Sequence, residues 1–157
     1  MVNKDELPYR PCAGIMLLNP DDQVFVAKRI DTKVEAWQMP QGGIDKGEEP
    51  AMAARRELFE ETGVQNAEII AESARWLEYD LPEHLIGKLW KGKYRGQTQK
   101  WFLMRFDGDE SQINIHTQTP EFSEWRWVDM HVLSDIIVPF KRDLYAEIVA
   151  EFSAYLR

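Results

Sequence analysis

The sequence contains one cysteine, Cys12, and three histidines among its 157 residues. A single cysteine cannot form an internal disulfide, and it excludes a metal site built from several cysteines. The histidines, His84, His116 and His131, lack the spacing of a zinc site. Cys12 borders an apolar run, so we expect an inert, buried thiol in a reducing cytoplasm.

Long hydrophobic runs are also absent. No apolar segment approaches the roughly 20 residues that a membrane-spanning helix needs, so no contact with a membrane is predicted. The first six residues are polar and acidic, unlike a secretory signal. With 44% hydrophobic and 29% charged residues, the composition is typical of a folded globular protein and not of a disordered one. We find no repeat or linker and expect one domain over residues 1–157.

Acidic residues are missing from one segment and concentrated in another. No Asp or Glu occurs from His84 to Phe106, whereas six carboxylates and three basic residues occupy residues 42–61. The net charge of −8 argues against broad, nonspecific binding to nucleic acid. A local basic stretch beside an acidic cluster would suit a metal site next to a polyanion, although a solvated lysine loop explains the charge equally well. The basic residues of the stretch are Lys88, Lys91, Lys93, Arg95, Lys100 and Arg105.

The pattern of apolar residues, prolines and glycines predicts an α/β sandwich with a mixed sheet. A helix is expected to begin at Pro50 and to be closed by Gly63, and a C-terminal amphipathic helix should bury Leu144, Ile148, Phe152 and Tyr155. Strands are predicted at residues 13–18, 24–29, 36–39, 67–79, 99–106 and 124–128, with a turn at 19–22 and a loop at 40–47.

The most informative segment covers residues 42–64. It reads Gly42-x5-Glu48-x7-Arg56-Glu57-Leu58-x-Glu60-Glu61-x-Gly63-Val64. In a helix, Glu57, Glu60 and Glu61 stand at i, i+3 and i+4 and therefore share one side. Unpaired carboxylates at this spacing repel one another, and a hard cation such as Mg²⁺ would remove the repulsion. The same cation could neutralise a polyphosphate and lower the pKa of a bound water.

Three glutamates at helical spacing are, on their own, most often solvated side chains on a helix surface. The full pattern changes that interpretation, because its seven residues other than the apolar Leu58 and Val64 coincide by chance with a probability on the order of 10⁻⁸. Within it, Glu48 could orient Arg56 or a metal-binding carboxylate. Gly42 and Gly43 would let the preceding loop approach the helix closely.

This segment resembles the Nudix box at every specified position. The resemblance implies an α/β/α Nudix fold, with the box at 42–64, and hydrolysis of a nucleoside diphosphate linked to another group. It also implies Mg²⁺ or Mn²⁺ as the cofactor, bound by Glu57, Glu60 and Glu61, with the backbone carbonyl of Gln41 as a further ligand. One of the glutamates, most often the one at the position of Glu57, is the base that activates water in this family.

Segments outside the box resemble the RNA pyrophosphohydrolase branch of the Nudix family. They include Tyr9-Arg10-Pro11, residues 37–44, 96–102 and 119–122, and Phe140-Lys141-Arg142. The branch removes pyrophosphate from the 5′ end of triphosphorylated RNA, leaves a 5′-monophosphate and so promotes RNA decay. Dinucleoside polyphosphate hydrolases share the box and most of these segments, so a substrate such as diadenosine tetraphosphate remains the alternative. A binding module with an inactive site is disfavoured by the intact box.

Further site residues follow from this resemblance. Glu121 would join the metal site or assist the base, while Arg10, Val138, Phe140 and Lys141 would hold the first nucleotides. Lys28, Arg29 and Lys100 are candidate phosphate contacts, and Tyr79 a candidate base contact.

Each of these residues also has a structural alternative. Phe140 and Tyr79 could be core residues, Glu121 could be a solvated loop residue, and the two lysines could be ordinary charges on a strand surface. For the tryptophans Trp37, Trp101, Trp125 and Trp127, packing is favoured over base stacking. The oligomeric state, the number of metal ions and the preferred RNA bases are left open by the sequence.

Overall fold

The computed structural model describes residues 4–31 and 35–156. Its strands are β1 (Tyr9–Leu18), β2 (Val24–Arg29), β3 (Gln41–Gly43), β4 (Glu68–Glu72), β5 (Leu77–Asp80), β6 (Gly96–Arg105) and β7 (Phe122–Val128). Its α-helices are α1 (Pro50–Thr62), α2 (Leu133–Ile136) and α3 (Arg142–Phe152). Short 3-10 helices lie at Lys4–Glu6, Glu83–Leu85, Leu89–Gly92, Glu110–Gln112, Met130–Val132, Pro139–Lys141 and Ser153–Tyr155.

The strands form one mixed sheet in the order β4-β6-β1-β2-β7, with β3 paired to β1 and β5 paired to β6. Strands β1 and β6 run parallel along their whole length, and the other pairs are antiparallel. Because β1 lies at the centre and is covered on both faces, it is apolar at nearly every position instead of alternating.

Each face of the sheet has its own hydrophobic core. On one face, Ile15, Phe25 and Phe102 pack with Leu58 of α1. On the other, Met16 and Trp101 pack with α3, whose inward residues are Leu144, Ile148 and Phe152. The predicted sandwich of helices on both sides of a mixed sheet is confirmed.

The predicted strand at 36–39 is wrong. Only Gln38 makes a bridge, to Ala27 of β2, while the amide of Trp37 donates to the carbonyl of Ile136. The short strand instead lies within the predicted loop, at Gln41–Gly43, where it pairs with β1 directly beneath α1. A Cβ atom at Gly42 would overlap the carboxylate of Glu57, so glycine is what allows this close approach.

The single strand predicted at 67–79 is two strands, β4 and β5, both paired with β6. Between them the Ser73 hydroxyl accepts from the amide of Trp101 at 3.0 Å and donates to the carbonyl of Arg75 at 2.9 Å. A serine side chain that replaces backbone hydrogen bonds favours a turn over continuous pairing.

The two predicted helices are present in the structure. Helix α1 begins at Pro50, and Gly63 follows it with a φ of 76°, the left-handed cap that was predicted. Helix α3 buries Leu144, Ile148 and Phe152 as expected, but Tyr155 lies beyond its end and is half exposed. Across the described residues, every helix is too short or too polar to span a membrane.

Two residues of α1 allow a test of this packing. Leu58 is 2% exposed in the core, whereas Met52 on the same helix is 64% exposed. We expect Leu58→Ala to lower the free energy of unfolding by about 2–5 kcal/mol, because it leaves a cavity. Met52→Ala should change it by no more than about 0.5 kcal/mol. Urea denaturation measures both values, and equal effects would contradict the described orientation of α1.

Candidate active site

The guanidinium of Arg56 joins helix α1 to the loop before it. Its Nε and Nη2 each donate to a carboxylate oxygen of Glu48 at 2.9 Å, and Nη2 also donates to the carbonyl of Gly43 at 2.8 Å. Its Nη1 donates to Glu57 at 2.9 Å. These bonds hold the pKa of Glu48 down at about 2 and raise the pKa of Arg56. Glu48 thus binds the guanidinium of Arg56 through both of its carboxylate oxygens.

Glu61 is the most deeply buried carboxylate of the box. Glu61 is only 3% exposed, and its Oε2 has no hydrogen-bond partner among the described residues. Burial, followed by the nearby charges of Glu121 and Glu57, raises its pKa well above the usual value. A buried anion facing other anions is unfavourable unless a proton or a cation accompanies it.

Glu57 and Glu60 both form ion pairs with Arg56. Burial raises the pKa of Glu57 despite its bond to Arg56, whereas Glu60 is half exposed and lies 3.3 Å from Nη1 of the same guanidinium. Within residues 4–31 and 35–156, no three His, Cys, Asp or Glu side chains converge closely enough to hold a metal as they stand.

The carboxylates border a cleft of about 870 Å³, which we call the carboxylate cleft. Glu60, Glu61 and Glu121 form one wall, and exposed Phe59 and residues of the segment 111–119 form the rest. The amide of Ile30 donates to the carbonyl of Glu121, which anchors this loop residue to the end of β2. Glu121 is partly buried and lines this cleft together with Glu60 and Glu61 of the box.

A second cleft, of about 640 Å³, adjoins the first at Glu121 and reaches Glu57. We call it the aromatic cleft, because Tyr79 and Phe140 lie in it with ring centroids 5.9 Å apart. The predicted site residues that line it are Arg10, Arg29, Gln41, Glu57, Tyr79, Glu121, Val138, Phe140 and Lys141. Residues far apart in the chain are therefore assembled around one space that opens on the box.

Cations and aromatic rings alternate in the aromatic cleft. The Lys141 ammonium lies 5.2 Å from the Tyr79 ring centroid and 5.9 Å from that of Phe140. The Arg10 guanidinium lies 5.7 Å from the ring centroid of Trp90. Burial and the neighbouring charge of Arg29 lower the pKa of Lys141 to about 8. Such alternation is how proteins hold unstacked bases and phosphates.

Two predicted phosphate contacts lie elsewhere. Lys28 is over the ring of Trp37 and pairs with Glu124 at 3.0 Å, and Lys100 pairs with Glu72 at 3.3 Å. Neither lines the aromatic cleft. Arg29 does line it, although it forms two bonds to Asp31, at 2.8 and 2.7 Å.

The basic stretch is also less free than its composition indicates. Arg95 pairs with Asp80 at 3.0 Å and Arg105 with Asp22 at 2.6 Å, so these cations and Lys100 support the fold. Of the remainder, Lys88, Lys91 and Lys93 are exposed in the loop before β6. Three of the six basic residues therefore have structural partners.

Several cleft residues were not predicted. Gln97, Trp90, Leu85 and Leu89 line the aromatic cleft, as does Asp31. Gln97 lies in the segment 96–102 that resembles the RNA pyrophosphohydrolase branch. Alternation along β6 could have placed it on the same face as Trp101. The loop residues offer no periodicity from which their position could be read.

A family model for the NUDIX domain matches residues 8–148. The chain belongs to the Nudix family and is a Nudix hydrolase. An RNA pyrophosphohydrolase of Sphingopyxis alaskensis is 60% identical over 97% of this chain and 98% of the relative. One of Roseobacter denitrificans is 60% identical over 96% and 95%, respectively.

A solved structure shares the fold at much lower identity. The E. coli dihydroneopterin triphosphate pyrophosphohydrolase matches with a TM-score of 0.65 and 19% identity, over 92% of this chain and 99% of that one. At this identity the likeness concerns the fold alone. It agrees with the mixed sheet and helices described above.

Nudix hydrolases generally use divalent metal ions, and the donors in this site fit such an ion. The buried Oε2 of Glu61 and the buried side-chain Oε1 of Gln41 both lack hydrogen-bond partners among the described residues. Glu57 and Glu121 add carboxylate charge beside Glu61. An all-oxygen, negatively charged set of this kind suits a hard divalent cation.

The buried carboxylate of Glu61 predicts opposite effects with and without metal. In metal-free protein at pH 7, Glu61→Gln should raise the free energy of unfolding by about 1–2 kcal/mol, because it removes the cost of burying or protonating this carboxylate. The rise in melting temperature on adding Mg²⁺ should shrink or vanish in the same variant.

Glu60→Gln is the matched control, since its side chain is 54% exposed. It should leave metal-free stability nearly unchanged. The melting temperatures of wild type and of both variants, measured with EDTA and with Mg²⁺, give these effects. A Glu61→Gln variant that is less stable without metal would contradict the role given to this carboxylate.

Proposed function

We propose that this chain removes pyrophosphate from the 5′-triphosphate end of RNA and leaves a 5′-monophosphate. The observation that carries the proposal is the junction of the two clefts. Glu57 and Glu121 line the aromatic cleft, and both place negative charge near Glu61, so a base held against Phe140 would have its phosphates near the box. The names of the 60% identical relatives support an RNA substrate.

Substrate binding would divide between rings and cations. Phe140 is exposed enough to stack on a base, and Tyr79 supports its ring from the buried side. Arg10, Arg29 and Lys141 line the same cleft as this ring and Glu57. Guanidinium and ammonium groups bind phosphate oxygens and stabilise the charge that develops on the leaving group.

We assign the base to Glu57, because it lines the aromatic cleft and is fixed by Arg56 at 2.9 Å. Glu57 would take a proton from water, whose oxygen then bonds to a phosphorus of the polyphosphate chain. The phosphoanhydride bond to the leaving phosphate group breaks as the new bond forms. Mg²⁺, or Mn²⁺ in its place, would supply neutralising charge and a more acidic water when bound by Glu57, Glu60, Glu61 and Glu121.

Turnover of two substrates tests the proposal directly. With Mg²⁺ present, kcat/KM should be higher for a short 5′-triphosphate RNA than for diadenosine tetraphosphate, with pyrophosphate or successive phosphate as product. Phe140→Ala should lower kcat/KM for the RNA by about tenfold, because stacking is worth about 1–3 kcal/mol per base.

Tyr155→Ala is the control for Phe140→Ala, since Tyr155 is an exposed aromatic residue outside both clefts. It should leave kcat/KM for the RNA unchanged. A higher kcat/KM for the dinucleotide would assign the protein to dinucleotide hydrolysis instead of RNA processing. No cleavage of either substrate, with Mg²⁺ or Mn²⁺, would overturn the proposal.

The lowered pKa of Lys141 predicts a dependence on pH. Above about pH 8 this side chain loses its proton and with it the charge that attracts phosphate. We expect kcat/KM for the RNA to fall by about tenfold as pH rises through this value, since a charged hydrogen bond contributes about 1.5–3 kcal/mol. In Lys141→Arg the charge persists, so the fall should move to higher pH. An unchanged profile in Lys141→Arg would exclude Lys141 as its source.

A further inference from the structure

The loop that joins β5 to β6 carries three lysines that no carboxylate neutralises. Lys88, Lys91 and Lys93 are exposed, and in the part of the chain that the structure describes none of them forms a salt bridge. No Asp or Glu occurs from His84 to Phe106. A protein with a net charge of −8 therefore presents a local positive surface at residues 88–94, which we call the basic loop.

Trp90 attaches the basic loop to the aromatic cleft. Its ring lines that cleft, and its centroid lies 5.7 Å from the Arg10 guanidinium and 6.3 Å from the ring centroid of Tyr94. Trp90 and Lys91 both have a left-handed backbone, with φ of 50° and 60°. This conformation costs about 1–3 kcal/mol at each non-glycine residue and persists only where the surroundings determine it. The packing of Trp90 thus fixes the position of the lysines relative to the cleft.

The basic loop is continuous with the site already described. Leu89, which is 39% exposed, lines the aromatic cleft together with Phe140. Tyr94 lines a smaller cleft of about 390 Å³ that also contains Glu57. An RNA whose first nucleotides occupy the aromatic cleft would therefore have its following nucleotides beside the basic loop.

Charge distinguishes the basic loop from other segments that line the aromatic cleft. Asp31, Glu57 and Glu121 contribute carboxylates to that cleft, and Arg29 already forms two bonds to Asp31. A phosphodiester chain is repelled by carboxylates and attracted by ammonium groups that have no other partner. The charges thus favour an RNA chain that leaves the cleft over the basic loop.

We propose that the basic loop binds the RNA chain beyond the nucleotides held in the aromatic cleft. Lys88, Lys91 and Lys93 contact its phosphates and not its bases, so this binding depends on RNA length and on salt but not on sequence. The inference rests on the proposed function in taking RNA as the substrate. Binding of RNA that is not cleaved tests it separately from catalysis.

The test compares a short RNA with a long one over a range of salt concentrations. A 5′-triphosphate trinucleotide and a dodecanucleotide that begins with the same three nucleotides are assayed for kcat/KM. The dissociation constants of the matching 5′-monophosphate RNAs are measured in parallel by fluorescence anisotropy, which requires no turnover.

Wild type should favour the dodecanucleotide by about tenfold at low salt, in both kcat/KM and affinity. The combined variant Lys88→Gln, Lys91→Gln and Lys93→Gln should lose this advantage, while its kcat/KM for the trinucleotide stays near that of wild type. Each lysine that neutralises a phosphate of single-stranded RNA contributes about 0.7 to the slope of log K against log salt concentration. The slope for the dodecanucleotide should therefore fall by about 2 in the combined variant.

Two control variants separate local charge from other effects. Replacing the same three lysines with arginine keeps the charge and should keep both the slope and the length advantage. Arg75→Gln combined with Arg126→Gln removes two exposed cations outside the clefts and should also leave both unchanged.

The inference is overturned if wild type binds and cleaves both RNAs equally well. It is also overturned if the glutamine variant of the basic loop keeps the wild-type slope and length advantage, or if the Arg75 and Arg126 pair loses as much slope per charge. A lysine-dependent length advantage in binding, without cleavage of either triphosphate RNA, would overturn the proposed function alone.

Discussion

The bidentate bond between Arg56 and Glu48 is the interaction on which the site depends. It ties the loop around Gly43 to helix α1, with additional bonds to the Gly43 carbonyl and to Glu57. A planar guanidinium matches two carboxylate oxygens at once, which lysine cannot do. The loop is therefore held against the helix, and the carboxylates of the helix have a defined position relative to β1.

The central sheet then determines what the carboxylates face. Parallel pairing of β1 and β6 brings Arg10 beside Gln97, and antiparallel pairing of β5 adds Tyr79 on the other side. The 3-10 helix at Pro139–Lys141 completes the same space with Phe140. The aromatic cleft and the carboxylates of the box thus meet at Glu57 and Glu121.

Local signals in the sequence predicted the helix correctly. The glutamate spacing, Pro50 and Gly63 are all read within one segment, and α1 has the predicted bounds. Pairings between distant segments could not be read in this way. Lys100 and Lys28 resembled phosphate contacts until β-sheet pairing placed Glu72 and Glu124 beside them.

Backbone details were equally hidden from the sequence. Gly42 and Gly43 were expected in a loop, yet they form a strand paired with β1, and a side chain at Gly42 would overlap the carboxylate of Glu57. Gln97 was visible in the sequence, but its place in the aromatic cleft depends on the pairing of β6 with β1 and β5. Nine of the residues that line the aromatic cleft had been predicted as site residues, and three-dimensional packing explains what they contact.

The central claim is that Glu57 activates water at a box assembled by Arg56. Its most direct test is turnover of 5′-triphosphate RNA by a Glu57→Gln variant whose melting temperature and RNA affinity are measured in parallel. The account predicts a loss of about a thousandfold or more in kcat, since a general base contributes roughly 10²–10⁴-fold and metal binding is weakened as well. Folding and RNA affinity should be nearly unchanged. Full activity in a folded Glu57→Gln variant would contradict the account.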